Sequence, residues 1–266
     1  MNIILSRKGF DSQYGETPSP IFQDGTMLSL PVPSEDKLSY DEITYNGRTY
    51  GSIIESLKKY KMGNCHLDPD LMAGAKPRKS GWRPAFGQAG AAQGHLDNQK
   101  VGVGDIFLFY GWFQHAVFGE DKIEYDNTGY GFHAIFGYLQ VGEIVRLCDK
   151  AKAKDCYMDH PHVSGMNNKK INLQNNTLYI ARKKLSLDES LPGGGPLQFH
   201  DGLVLTKKGE VKTHWDLPRF FNGISYHTEK SWNKDFFKAA DKGQEFVVEA
   251  SPAIKKWLKA KIVRNS

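Results

Sequence analysis

Two segments near the middle of the chain limit its fold more than any others. Asp105 to Phe113 reads DIFLFYGWF, and Phe132 to Val145 reads FHAIFGYLQVGEIV. Both are dense in aromatic and branched residues, which fit a pleated, buried surface, and both carry glycine where a strand bulges or bends. They read as two long strands of one buried sheet. Shorter strands are expected at the start, over Met1 to Leu5, and at Thr177 to Arg182, Leu203 to Thr206 and Glu245 to Glu249. Leu191 to Pro196, LPGGGP, reads as a turn.

Helices are fewer. Residues 52 to 60 put Ile53, Ile54, Leu57 and Tyr60 on one face. A later helix is expected with Trp232, Phe236, Phe237 and Ala240 on one side. The last begins with Ser251 as N-cap and Pro252 at the first position. Its apolar stripe is Ile254, Trp257, Leu258 and Ile262, and Lys255, Lys256, Lys259, Lys261 and Arg264 cover the remainder. Strands and helices do not alternate, so the class expected is α+β: a mixed, largely antiparallel sheet or partly open barrel with flanking helices. The run VGVGDIFLFYGWF followed by AIFGYLQVGEI also resembles PUA-like barrels. The expected organisation is a single α+β domain over 1–266, with an irregular N-terminal part to 100, a β-rich core over 101–250 and a C-terminal helix over 251–264.

The composition, 39% hydrophobic and 24% charged residues, is that of an ordinary globular protein. The longest apolar runs, such as Ile106 to Tyr110, are too short to cross a bilayer, and the first residues lack signal-peptide organisation. A soluble, cytoplasmic protein without a membrane partner is expected. Three cysteines, Cys65, Cys148 and Cys156, make no disulfide framework or zinc ribbon and read as reduced thiols. A net charge of +5 permits a polyanionic partner without requiring one. Phosphate-loop, dinucleotide-binding, zinc-protease and nucleophile-elbow motifs are all missing.

Four segments carry candidate chemistry. Arg7, Lys8 and Asp11 follow the first strand. The cations could grip a phosphate and Asp11 could act as a base, in one pocket alongside His66 or His95, or the segment is a polar turn with an incidental ion pair. In Cys65-His66-Leu67-Asp68-Pro69-Asp70, His66 and Asp68 point the same way if extended, which supplies two thirds of a facial metal triad. In FGQAGAAQGHLD, small residues allow close approach to a ligand, and Gln88 and Gln93 could read a base edge. His95 repeats the H-x-D spacing with Asp97. In Asp159-His160-Pro161-His162, Pro161 keeps His160 extended, so two imidazoles could converge on a metal or a phosphate. His133 lies in an apolar strand, either as a satisfied core residue or as the missing ligand.

The blocks SRKGFD, PSPI, DGT, FGQAGAAQGHLDNQKVGVGDIFLFYGWF, HAIFGYLQVGEI, HPH, LYIARKKL, ISYH and GQEFVV occur in order along most of the chain. Together they resemble the nucleotide modification associated domain 3 family. That resemblance implies a bacterial or phage setting in which nucleic-acid bases are modified, and an α+β fold. It also ranks His66, Asp68, Asp70, His95, His133, His160 and His162 above His200 and His214.

The function expected is modification of a base or nucleotide, with a nucleotide or nucleic acid as substrate. Metal ligands are sought among His66, Asp68, His95 and His133, with iron(II) first and manganese or zinc as alternatives. Asp11, Asp70 and His95 are the catalytic candidates. Arg7, Lys8, Gln88, Gln93, His160 and His162 are the substrate-binding ones. Two alternatives remain: a PUA-like module that binds a base without catalysis, and a metal-free hydrolase or transferase built on Asp11 and His95.

Overall fold

The computed structural model describes residues 1–119, 122–126, 129–148, 153–165, 175–226, 231–239 and 245–263. A ten-stranded sheet dominates them. Its strands are β1 (Asn2–Arg7), β2 (Ser19–Ile21), β3 (Ala85–Gln88), β4 (Ile106–Phe118), β5 (Ile123–Tyr125), β6 (Phe132–Arg146), β7 (Thr177–Ala181), β8 (Gly194–Pro196), β9 (Ser225–Tyr226) and β10 (Glu245–Glu249). The order across the sheet is β9-β10-β1-β4-β6-β7-β3; β8 pairs with β6, and β2 and β5 pair with β4. Among the described residues, only the β1–β4 and β2–β4 pairings of this sheet are parallel. The sheet is mixed, mostly antiparallel and not closed into a barrel, and four α-helices accompany it among the described residues: α1 (Tyr50–Lys58), α2 (Gly90–Asn98), α3 (Pro161–Ser164) and α4 (Pro252–Ile262). The class is α+β.

The two aromatic segments form the central pair, β4 and β6, buried on both faces over most of their length. On one face Phe107 and Phe109 pack against Phe86 of β3, with centroids 5.0 and 5.2 Å apart. On the other, Tyr110 meets Trp215 edge-on at 4.6 Å. Such pairs add to the burial of apolar area, which dominates the stability of a sheet like this. Asp105, directly before β4, accepts from the Asn2 and Gly102 backbone N–H groups and so pins the start of β1 beside β4.

Two further apolar clusters flank the sheet. The N-terminal hundred residues supply most of one, where Ile53 and Ile54 of α1 pack with Phe10, Leu30, Tyr40 and Cys65, and Ala116 and Ile123 complete it. A smaller one, with Tyr157, Val163, Leu178 and Ile180, seats α3 on β7. Cys65 and Cys156 are buried free thiols, and Cys148 is an exposed one.

Three local expectations are corrected. Residues 231–239 form no helix: Trp232 bridges Phe237, and Phe237–Lys238 pairs as a strand with His214–Trp215. The aromatic residues there fill the space over Trp215 and Phe246, and burial overrides their helical spacing. Ala240, assigned to the same helix, lies outside the described residues, as does Arg264. LPGGGP is not a turn; Gly194 and Gly195 open β8 against β6, and Gly193 before them lies against the Arg182 carbonyl too closely for a side chain. Leu203 to Thr206 is not a strand; a 3-10 turn over Asp201–Leu203 leads into single bridges from Val204 to Ala134 and from Thr206 to Trp215.

Candidate metal centre

A two-residue strand, Cys65–His66, pairs with Val32–Pro33 and delivers His66. The chain turns at once, because the Asp68 N–H donates to the His66 carbonyl at 2.9 Å. This is an i to i+2 turn in place of the extended run expected, and it still brings the Asp68 carboxylate back beside the imidazole. The third group comes from α3. Pro161 occupies its first position and His160 is its N-cap, with Nδ1 accepting from the His162 N–H at 3.3 Å. His162 is thereby turned toward His66, with ring centroids 5.2 Å apart. Candidate ligand atoms of His66, Asp68 and His162 all lie within 4.8 Å of one another.

Each group is held from behind. Nδ1 of His66 donates to Asp36 Oδ2 at 2.7 Å, which leaves Nε2 for a ligand. Nδ1 of His162 lies 2.6 Å from Asn176 Oδ1, and the other end of that amide donates to the His162 carbonyl at 2.8 Å. That second bond fixes which end of Asn176 is oxygen, so Nδ1 of His162 carries the proton and Nε2 is the free lone pair. Asp68 Oδ1 accepts from the Gly87 N–H at 2.7 Å, and His160 Nε2 stands 3.5 Å from the same oxygen. Since His160 Nδ1 is an acceptor, its proton sits on Nε2 and faces Asp68. Imidazoles oriented by a carboxylate or amide on their far nitrogen are the usual support of metal-binding histidines.

The electrostatics agree. Burial pushes His162 below the ordinary imidazole value, and the Asp68 charge only partly offsets this. Burial and the neighbouring imidazoles His162 and His66 push His160 further down. Burial opposes ionisation of Asp36, but the bond and charge of His66, the Ser34 hydroxyl and the His162 charge together outweigh it and hold the carboxyl low. Neutral imidazoles beside carboxylates are what a divalent cation requires. Metal–ligand bonds of ~2.1 Å place neighbouring donors roughly 3 to 4 Å apart, so the set needs only a small contraction to grip an ion.

Gly87 of β3 is part of the cradle, since a methyl group there would run into the His162 ring. Beyond Gly87, the buried Glu245 accepts from Gln88 Nε2 at 2.7 Å and Ser6 Oγ at 3.0 Å, with Lys8 Nζ at 3.5 Å. Burial raises the Glu245 carboxyl above its ordinary value, opposed by Lys8. Lys8 lies 4.4 Å over the Phe86 ring, and its charge acts on His162. On the other side of the centre, a cavity of about 720 Å³ is lined by Asp36, Lys76, Arg78, Lys79 and Pro161.

The other sequence candidates fall in several places. Arg7 and Lys8 diverge: Arg7 pairs with Asp11 at 3.3 Å and acts on His133 and Tyr110, across the sheet from Lys8. Asp11 Oδ1 accepts from the Gln13 and Tyr14 N–H groups, which makes the segment a tight turn. Asp70 is clasped by Arg78 through two bonds of 2.5 and 2.6 Å. Burial raises its carboxyl, and Arg78 opposes that. Gln93 is fully buried and bonded to Asp97 and Tyr179, so its amide faces the interior of the fold. His95 lies in the last turn of α2. His133 is fully buried, accepts from Trp215 Nε1 at 3.0 Å, and is flanked by the Arg7 and Lys212 charges. The converging group therefore takes His162 where the sequence offered His95 and His133, because His133 belongs to the opposite face of β6 with Trp215. Asp36, Asn176 and Glu245 were not anticipated. Asp36 and Asn176 sit 30 and 14 residues from the histidines they hold, and no local spacing marks them.

No helix among the described residues is long and apolar enough to cross a membrane. No curated protein and no solved structure matches the chain. The family model described as nucleotide modification associated domain 3 matches residues 2–249, nearly the whole length. The chain belongs to the nucleotide modification associated domain 3 family, and its function is thereby tied to nucleotide modification.

Proposed function

We propose that this protein is a metal-dependent enzyme that modifies a nucleic-acid base, with His66, Asp68 and His162 as the ligands. The observation that carries the reading is the convergence of two imidazoles and one carboxylate whose far atoms are already held by Asp36, Asn176 and Gly87. Two histidines and one carboxylate on one side of an ion, with open positions opposite, are the donor set of non-haem iron(II) oxygenases, so iron(II) is the first choice ahead of manganese or zinc. Bound there, such an ion would supply redox chemistry next to the substrate.

The protein's own residues then have distinct tasks. Asp36 and Asn176 orient the two imidazoles. His160 keeps a proton on Nε2 against Asp68. Lys8 and Gln88, gathered by Glu245 on the side of Gly87, are the groups placed to meet the substrate. This reading takes Asp70 and Asp11 as structural partners of Arg78 and Arg7.

Elemental analysis after anaerobic purification tests it. About one transition-metal ion per chain is expected, and His66→Ala or His162→Ala should lose it while circular dichroism stays native. Wild-type protein that takes up no iron, manganese or zinc when titrated would overturn the proposal.

A further inference from the structure

A second concave surface lies at the far end of β4 and β6, away from the metal ligands. It is a groove of about 1230 Å³. Its floor is aromatic. His115, Phe132 and Phe199 form a three-ring cluster with centroids 4.9 to 6.0 Å apart, and all three remain half-buried. Trp112 continues the floor, with Lys212 Nζ 3.5 Å over its ring. Tyr130 stands at the lip with 99% of its surface exposed. Tyr130 at the lip and the partly exposed rings of the floor form one contiguous aromatic surface, the kind of patch that marks a binding site.

The wall is basic. Lys207, Lys208 and Lys212 line it against Asp201 and Glu210, and Glu210 is engaged by His214 at 3.0 Å. Rings at the floor and lysines along the wall are the two elements that hold single-stranded nucleic acid: bases stack on the rings while the ammonium groups follow the phosphates. Duplex would keep its bases stacked on one another and leave the rings unused.

We propose that this groove binds a single strand of nucleic acid, so that the protein engages a strand and not a free nucleotide alone. This rests on reading the chain as acting on nucleic-acid bases, and narrows that reading.

The test is fluorescence anisotropy of a labelled single-stranded 12-mer of mixed sequence, at several salt concentrations, with wild type, Tyr130→Ala and Lys208→Ala. Wild type should bind with an affinity that falls as salt rises. Tyr130→Ala should weaken binding roughly tenfold through one lost stacking contact. Lys208→Ala should reduce the slope of log affinity against log salt by about 0.7, one phosphate's share for single strands. Both variants should keep wild-type metal content, because neither residue touches the ligands. Strand binding equal to wild type in both variants overturns the proposal. So does failure of wild type to bind the strand, equal loss of duplex binding in the same variants, or polyglutamate bound as tightly as the oligonucleotide. A metal-free protein whose strand binding still falls in Tyr130→Ala would overturn the metal reading and leave this one standing.

Discussion

Asp36 and Asn176 never face the proposed ion, yet they decide which nitrogen each imidazole presents. Replacing a group that orients a metal-binding histidine costs 10- to 100-fold in metal affinity. Asp36→Asn and Asn176→Ala should therefore weaken metal binding in about that range, measured by competition with a chelating dye, with native circular dichroism. Wild-type affinity in both would show that the two side chains only pack. His133 makes a different prediction. Burial, and then the Arg7 and Lys212 charges, hold it well below the ordinary imidazole value of 6.5. Below pH ~6.5 the unfolded chain binds a proton that the folded one refuses, so stability falls as pH falls, by up to about 1.4 kcal/mol per pH unit. His133→Asn should show a shallower decline of the urea midpoint between pH 7.5 and 5.5 than wild type. An identical decline would assign the acid sensitivity to other groups.

Each strand or helix that presents a ligand does so by close packing. β3 passes so near α3 that Gly87 must lack a side chain. Gly87→Ala should push the His162 ring out of line and abolish metal uptake, while the sheet, read by circular dichroism, stays intact. Uptake at the wild-type level would mean that α3 can retreat at no cost. α4 tests a simpler rule. Ser251 Oγ accepts from the Ile254 N–H at 3.3 Å as its N-cap, so Ser251→Ala should cost about 1 kcal/mol in chemical unfolding. Elements of this kind were legible in the sequence: β4, β6 and β10 from their aromatic and branched runs, α4 from its cap, proline and stripe. The 231–239 segment was not. Its aromatic residues sit at helical spacing, but Phe237 is drawn onto Trp215 and Phe246, partners 22 and 9 residues away. β8 hid for the opposite reason, since Gly193 to Gly195 read as a turn, whereas Gly194 and Gly195 pair with β6 and Gly193 lies against the Arg182 carbonyl with no room for a side chain.

Across the whole molecule, the candidate centre joins parts of the chain nearly a hundred residues apart in sequence, His66 and Asp68 on one side and His162 on the other. His66 and Asp68 come from the N-terminal hundred residues, beside the apolar cluster that holds Cys65 and Leu67. His162 comes from α3, seated in a separate cluster on β7. Half of this was readable: H-x-D and H-P-H each announce a local pair of ligand types. Which pair meets which is set by the turn of the sheet that carries β3 past α3, and nothing within a dozen residues of either motif encodes it. An ion held by both parts would act as a cross-link in the folded state alone. Binding only to the folded chain at a free concentration 100 times the dissociation constant stabilises by about 2.7 kcal/mol. For a chain of this size that corresponds to roughly 5 to 10 °C in the thermal midpoint. Wild-type protein loaded with iron(II) under anaerobic conditions should thus melt higher than the same protein in chelator by that margin. His162→Ala should melt at one temperature in both conditions. A wild-type midpoint indifferent to chelator would mean that no ion bridges the two parts, and the three side chains would then have to be understood as a hydrogen-bonded cluster that closes the fold without metal.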